Sequence, residues 1–152
     1  MMGGRRSTRL AAMLALLALP AGAQSVTPCG DGPRADTIAE PWEANTATYA
    51  DGAIRLTAID TVEPAGAPFY LMVQSPPLDE LGLRRCRLVG EAEGSGFFGL
   101  DFAARRAEYQ AGKGLVVTVP IKRVTPGESD AHPATLRLTI NQSSGEITAD
   151  AR

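Results

Sequence analysis

Five consecutive apolar residues, Phe69, Tyr70, Leu71, Met72 and Val73, stand between Pro68 and Pro76, and this run limits the fold more than any other stretch. Proline gives no backbone N–H and breaks helix interiors, so the space between the two prolines is too short for a helix and the run is read as a strand. Apolarity without alternation predicts cover on both faces. The run breaks at Ser75-Pro76-Pro77, passes through a loop from Leu78 to Gly82, and is followed by Arg84-Arg85-Cys86-Arg87-Leu88-Val89. That last stretch alternates, with Cys86 and Leu88 expected inward and Arg85 and Arg87 outward, so the two strands are expected to be antiparallel neighbours.

The N-terminus points to export. Arg5, Arg6 and Arg9 precede an apolar run of ten residues, Leu10 to Leu19, followed by Pro20 and the small residues Ala21-Gly22-Ala23. This is the pattern of a secretory signal peptide with cleavage before Gln24, and the run falls well short of the roughly twenty residues that span a bilayer. Residues 1–23 are therefore assigned to the leader, 24–36 to an irregular segment pinned by a disulfide, and 37–152 to a single β-rich domain. Loss of three arginines with the leader leaves twelve basic and seventeen acidic residues, a net charge of −5. That balance argues against nucleic acid as a partner. No later run is apolar enough to cross a membrane, so no membrane insertion is expected after processing. The expected location is periplasmic or extracellular.

Two cysteines in an exported chain predict one disulfide, Cys29 to Cys86. Such a bridge restricts the unfolded chain and so pins the Pro/Gly/Asp-rich segment before Arg34. Thr37 to Glu43 is a weak strand candidate, with Trp42 expected over one end of the core. Asp51-Gly52 between Thr46–Tyr49 and Ile54–Ile59 predicts a hairpin, because a type I′ turn needs positive φ at both central positions. Ile54, Leu56 and Ala58 then share one face. Phe97–Leu100 reads as a strand, with Phe98, Leu100 and Phe102 alternating. From Phe102 the Ala/Arg/Glu composition favours a short helix, with Asp101 as N-cap and Gly112 closing it. Leu115–Val119 is a β-branched strand, and Pro120 predicts an edge or a bulge there. Thr135–Ile140 and Glu146–Ala149 form a last hairpin, with Gly145 in a left-handed position. The expected fold is mainly β: a small antiparallel β-sandwich or partly open β-barrel of seven to eight short strands, with at most one short helix and one disulfide.

The chain offers little chemistry. His132, the only histidine, lies in a polar loop beside Ser129 and Asp130, and no Gly-x-Ser-x-Gly elbow accompanies it. Asp130 with His132, and Asp31 with Asp36, fall short of a metal-ligand set. Glu91 with Glu93, and Asp79 with Glu80, read as solvated loop carboxylates. No catalytic residue, metal ligand or cofactor is assigned. Asn141-Gln142-Ser143 matches a glycosylation sequon. The loop from Ser75 to Arg85 is the best candidate for function. Pro76-Pro77 stiffens its entry and Cys86 anchors its exit, so ordering it against a partner costs less entropy than ordering a flexible loop. Leu78, Asp79, Glu80, Leu81, Arg84 and Arg85 are its candidate binding residues, with Leu83 in the same apolar group. The expected activity is non-catalytic recognition of an envelope protein, a glycan or a small ligand. A small envelope hydrolase is the alternative.

Overall fold

The computed structural model describes residues 23–63, 66–125 and 127–152, so the leader expected over residues 1–23 lies, but for Ala23, outside the described residues. Ten strands follow in chain order: β1 (Ser25–Pro28), β2 (Thr46–Tyr49), β3 (Ile54–Asp60), β4 (Phe69–Leu78), β5 (Arg84–Gly90), β6 (Gly99–Leu100), β7 (Arg106–Gln110), β8 (Gly114–Arg123), β9 (His132–Ile140) and β10 (Ile147–Ala151). They make two antiparallel five-stranded sheets. One has the order β1-β5-β4-β3-β2. In the other, β10, β9 and β8 lie side by side, and β6 and β7 share the far side of β8. The fold is thus an antiparallel β-sandwich with ten strands where seven to eight were expected. Among the described residues there is no α-helix, only 3-10 turns at Ala35–Thr37 and Trp42–Ala44.

Alternation fixes the inner faces. Ile54, Leu56 and Ala58 of β3 face inward as expected, joined by Leu71 and Val73 of β4 and Val89 of β5. Opposite them stand Leu115, Val117, Val119 and Ile121, then Leu136, Leu138 and Ile140, then Ala149 and Ala151. Each fully buried Leu, Ile or Val contributes about 1.5–3 kcal/mol. A one-residue slip would turn such a row to the other face, so the register is strongly held.

Strand β5 presents the opposite face to the one expected. Its ladder pairs Leu71 with Val89 and Val73 with Arg87, which places Val89 and Arg87 on the inner side and Cys86 and Leu88 on the outer. Leu88 tolerates this because the outer face is covered. The segment after Cys29 leaves the β5 side, and a Cβ added at Gly32 would sit 3.5 Å from Leu88 Cδ1. The same segment reaches the far side of the sheet, where Ile38 bridges to Ile59. This crossing accounts for the apolar outer positions of the central strands, including Ile59 at 1 % exposure. Thr37 to Glu43 is therefore a crossing connection with two tight turns, not a strand, and Trp42 is 51 % exposed instead of packed over the core.

The region of residues 101–111 extends where a helix was expected. Asp101 Oδ1 accepts a hydrogen bond from Ala104 N at 3.1 Å, as a cap would, and Arg105 N reaches Phe102 O at 3.3 Å. After that single turn the chain becomes β7 and pairs with β8 from Arg106↔Thr118 to Gln110↔Gly114. The alanine preference for helix over Leu or Glu is worth a few tenths of a kcal/mol per residue. Burying Phe102, which is 1 % exposed, is worth about 1.5–3 kcal/mol, and β8 offers a hydrogen-bonding edge besides. Packing therefore overrides propensity. Phe97, not Phe98, enters the core from the preceding stretch; Phe98 is 47 % exposed. Pro120 lies on β8 where the 101–105 excursion leaves the ladder, so its missing N–H faces no strand acceptor.

The Cys29–Cys86 disulfide is present, with the two Cα atoms 5.4 Å apart. It extends the β1–β5 ladder, since Pro28 already pairs with Arg87 and Cys29 N donates to Cys86 O at 3.3 Å. A segment expected to be irregular is thereby held as an edge strand over Ser25–Pro28.

Candidate functional site

One end of the sandwich gathers four turns: 50–53, 79–83, 111–113 and 141–146. The first behaves as expected, with positive φ at Asp51 and Gly52 and Ala53 N donating to Ala50 O at 3.0 Å. The second is the candidate loop. Strand β4 does not stop at Pro76-Pro77; an irregularity between Ser75 and Leu78 absorbs the prolines, and Leu78 pairs with Arg84. Only Asp79 to Leu83 lies outside the strands.

Two of the six candidate binding residues hold this loop in shape. Asp79 Oδ1 accepts from Leu81 N at 2.9 Å and from Leu83 N at 2.8 Å, while Asp79 N donates to Leu83 O at 2.8 Å. Gly82 takes φ +78 to close the turn, a value glycine adopts without a Cβ penalty. Arg84 reaches sideways to the first turn, where Nε donates to Ala53 O and Nη2 to Gly52 O, both at 3.0 Å. A charge expected from the sequence to serve binding is thus a brace between two hairpins.

The other residues face outward. Leu78 is 54 % exposed, Leu81 83 % and Leu83 60 %. Glu80 and Arg85 are exposed beside them. Arg85 and Pro77 also abut the fourth turn, since a Cβ added at Gly145 would lie 2.6 Å from Pro77 Cδ and 3.2 Å from Arg85 Nη1. Gly145 has φ +76, the left-handed position expected for it, and Asn141 Oδ1 secures the same turn through Ser143 N and Ser144 N.

Sequence reasoning passed over a neighbouring hollow of about 550 Å³ bordered by Tyr109, Gln110, Gly112, Asn141, Gln142 and Ser143. Tyr109 is 56 % exposed, and its hydroxyl donates to Gln142 Oε1 at 3.0 Å. The helix that the composition predicts from Phe102 would not bring Tyr109 beside Gln142, and only the pairing of β7 with β8 does so.

The remaining candidates lie apart from this end. His132 Nε2 is 3.0 Å from Glu128 Oε2, with both side chains half exposed, and no serine hydroxyl among the described residues is bonded to it. Asp36 is bonded to Arg34. Glu91, expected in a solvated loop, is instead paired with Arg123, and both side chains keep little more than a fifth of their exposure. Among the described residues no group of three or more His, Cys, Asp or Glu stands close enough to hold a metal ion, and no helix is long and apolar enough to cross a membrane. The chain matches no family model, no curated protein and no solved structure.

Proposed function

We propose that the protein is an exported, non-catalytic recognition module that docks a protein partner through the loop between β4 and β5. One observation carries this reading: Leu78, Leu81 and Leu83 stand exposed within six residues of a loop whose backbone is already tied down by Asp79. Single exposed leucines are ordinary, but a cluster of them is typical of a contact surface. A loop ordered before binding loses little entropy on docking. The chemistry favours a protein over a glycan. The loop has three branched aliphatic side chains flanked by Glu80 and Arg85, and no aromatic ring for a sugar to stack on. The partner it suits has an apolar pocket with polar groups at the rim. The leader pattern and the disulfide support a location outside the cytoplasm.

Photo-cross-linking in the exporting cell tests this. A cross-linking residue at Leu81 should trap one defined protein, and the same residue at Thr148 on β10 should not. Equal trapping at both positions, or none at Leu81, would overturn the reading.

A further inference from the structure

The end of the sandwich opposite the four turns carries polar groups that the fold leaves incomplete. Four buried side-chain atoms there lack a hydrogen-bond partner among the described residues: Gln24 Oε1, Glu91 Oε2, Arg123 Nε and Asp150 Oδ1. They belong to one neighbourhood. Gln24 directly precedes Ser25, whose partner across the β1–β5 ladder, Gly90, is the neighbour of Glu91. Gln24 N donates to Ala149 O of β10 at 3.2 Å, and Ala23 bridges to Asp150. Arg123, at the end of β8, pairs with Glu91 and donates to Ala151 O at 3.4 Å. Arg152 Nε lies 3.2 Å from Asp150 Oδ1, but not in hydrogen-bonding geometry. Residue 24 thus joins the two sheets and is only 5 % exposed.

Three of the four unpartnered atoms are acceptors, and two of those are carboxylate oxygens. A buried carboxylate oxygen without a donor is costly. The expected leader cleavage falls on the peptide bond that enters this place. In the uncleaved chain the nitrogen of Gln24 is an amide with one hydrogen, already given to Ala149 O. Hydrolysis of the Ala23–Gln24 bond turns that nitrogen into an ammonium with three hydrogens, one for Ala149 O and two more for acceptors beside it.

We propose that this seam is a binding site for the chain's own processed amino terminus: the Gln24 ammonium is held between β5 and β10 by Ala149 O and the carboxylates of Glu91 and Asp150. Leader removal then completes the fold as well as releasing the chain. The site also keeps Gln24 from cyclising. Cyclisation needs the α-amine to attack the residue's own side-chain Cδ, forming the N–Cδ bond and expelling ammonia. An extended, buried residue whose nitrogen is bound as an ammonium does not present that nucleophile.

The test compares two disulfide-bonded chains released from an N-terminal fusion to begin at Gln24 or at Ala23. The chain that begins at Gln24 should melt several degrees higher, a shift of the size that one or two added charge-assisted bonds give in a domain of this length. In the double variant Glu91→Gln and Asp150→Asn the two starts should melt together. Intact mass of the exported protein should begin at Gln24 without loss of ammonia. Equal melting of the two original chains overturns the proposal, as does a difference that survives in the double variant. A native start elsewhere, or a mass lower by one ammonia in the folded protein, overturns it as well.

Discussion

The two ends of the sandwich solve opposite problems. At the seam end, charged side chains turn inward: Arg123 and Glu91 pair at about 22–23 % exposure, and Gln24 is buried beside them. At the turn end, apolar side chains face outward, and the charged residues Asp79 and Arg84 are used to hold backbone. A buried ion pair is a poor source of stability but a demanding one geometrically, because each partner costs free energy if the other is missing. An exposed leucine contributes almost nothing to folding. The seam end is therefore where substitution should unfold the domain, and the turn end is where substitution should change what the domain contacts.

The largest effects should come from the core of the seam end and from the disulfide. Phe97 is fully buried and its backbone bridges to Phe69, so Phe97→Ala is expected to cost about 3–5 kcal/mol. Chemical denaturation followed by tryptophan fluorescence would measure it, and a cost below 1 kcal/mol would mean that this end is not the tightly packed one. Cys86→Ser comes next. The bridge closes a separation of 57 residues, for which the chain-entropy estimate is roughly 4 kcal/mol. The β1–β5 ladder keeps its hydrogen bonds in the variant, so about 2–4 kcal/mol is expected. Mass analysis after thiol labelling of the folded native protein should show no modified cysteine.

Arg123→Met separates the ends more directly. It removes one partner of the Glu91 pair and leaves a carboxylate that keeps only about a fifth of its exposure. A fully buried pair broken this way costs about 3–5 kcal/mol, and the remaining exposure reduces the expectation to about 1–2 kcal/mol. Loss of stability in Arg123→Met that is recovered by adding Glu91→Gln would identify the stranded charge as the cause. No recovery would assign the loss to the arginine's packing and to its bond with Ala151 O.

The sequence carried the local patterns well. The Ile54-Leu56-Ala58 row, the Asp51-Gly52 turn, the left-handed Gly145 and the single disulfide all follow from alternation, turn chemistry and cysteine count. What it did not carry was set by distant pairing. The inward face of β5 depends on its register with β4 and on a crossing segment that covers Leu88. The strand at Arg106–Gln110 depends on the free edge of β8 and on burial of Phe102. Arg84 looked like a loop charge because its acceptors, Gly52 O and Ala53 O, lie some thirty residues away in sequence. Glu91 looked solvated because Arg123 is equally remote. The leucines of the candidate loop were legible as a group, but alternation alone did not show whether they covered the core or faced water.

That last question sets the smallest expected effect on stability. Leu78 and Leu81 keep more than half their surface in the folded protein, so Leu78→Ser and Leu81→Ser remove little buried area. Surface substitutions of this kind usually fall within about 0.5 kcal/mol, and the melting temperature should move by no more than a few degrees. Asp79 still caps Leu81 N and Leu83 N through backbone bonds that serine at position 81 leaves intact. The loop should therefore keep its shape while losing its apolar tip. An apolar anchor in a desolvated contact carries about 2 kcal/mol or more, so capture of the partner trapped at Leu81 should weaken roughly thirtyfold or more in the double variant. Arg84→Ala supplies the contrast: it leaves the leucines in place but frees the loop from the first hairpin, so any loss of capture would come from disorder and not from missing contact. Weak capture in the serine variant with unchanged melting separates recognition from folding. A loss of 2 kcal/mol or more in stability would instead mean that Leu78 and Leu81 cover the core in solution, and the difference between the two ends would disappear.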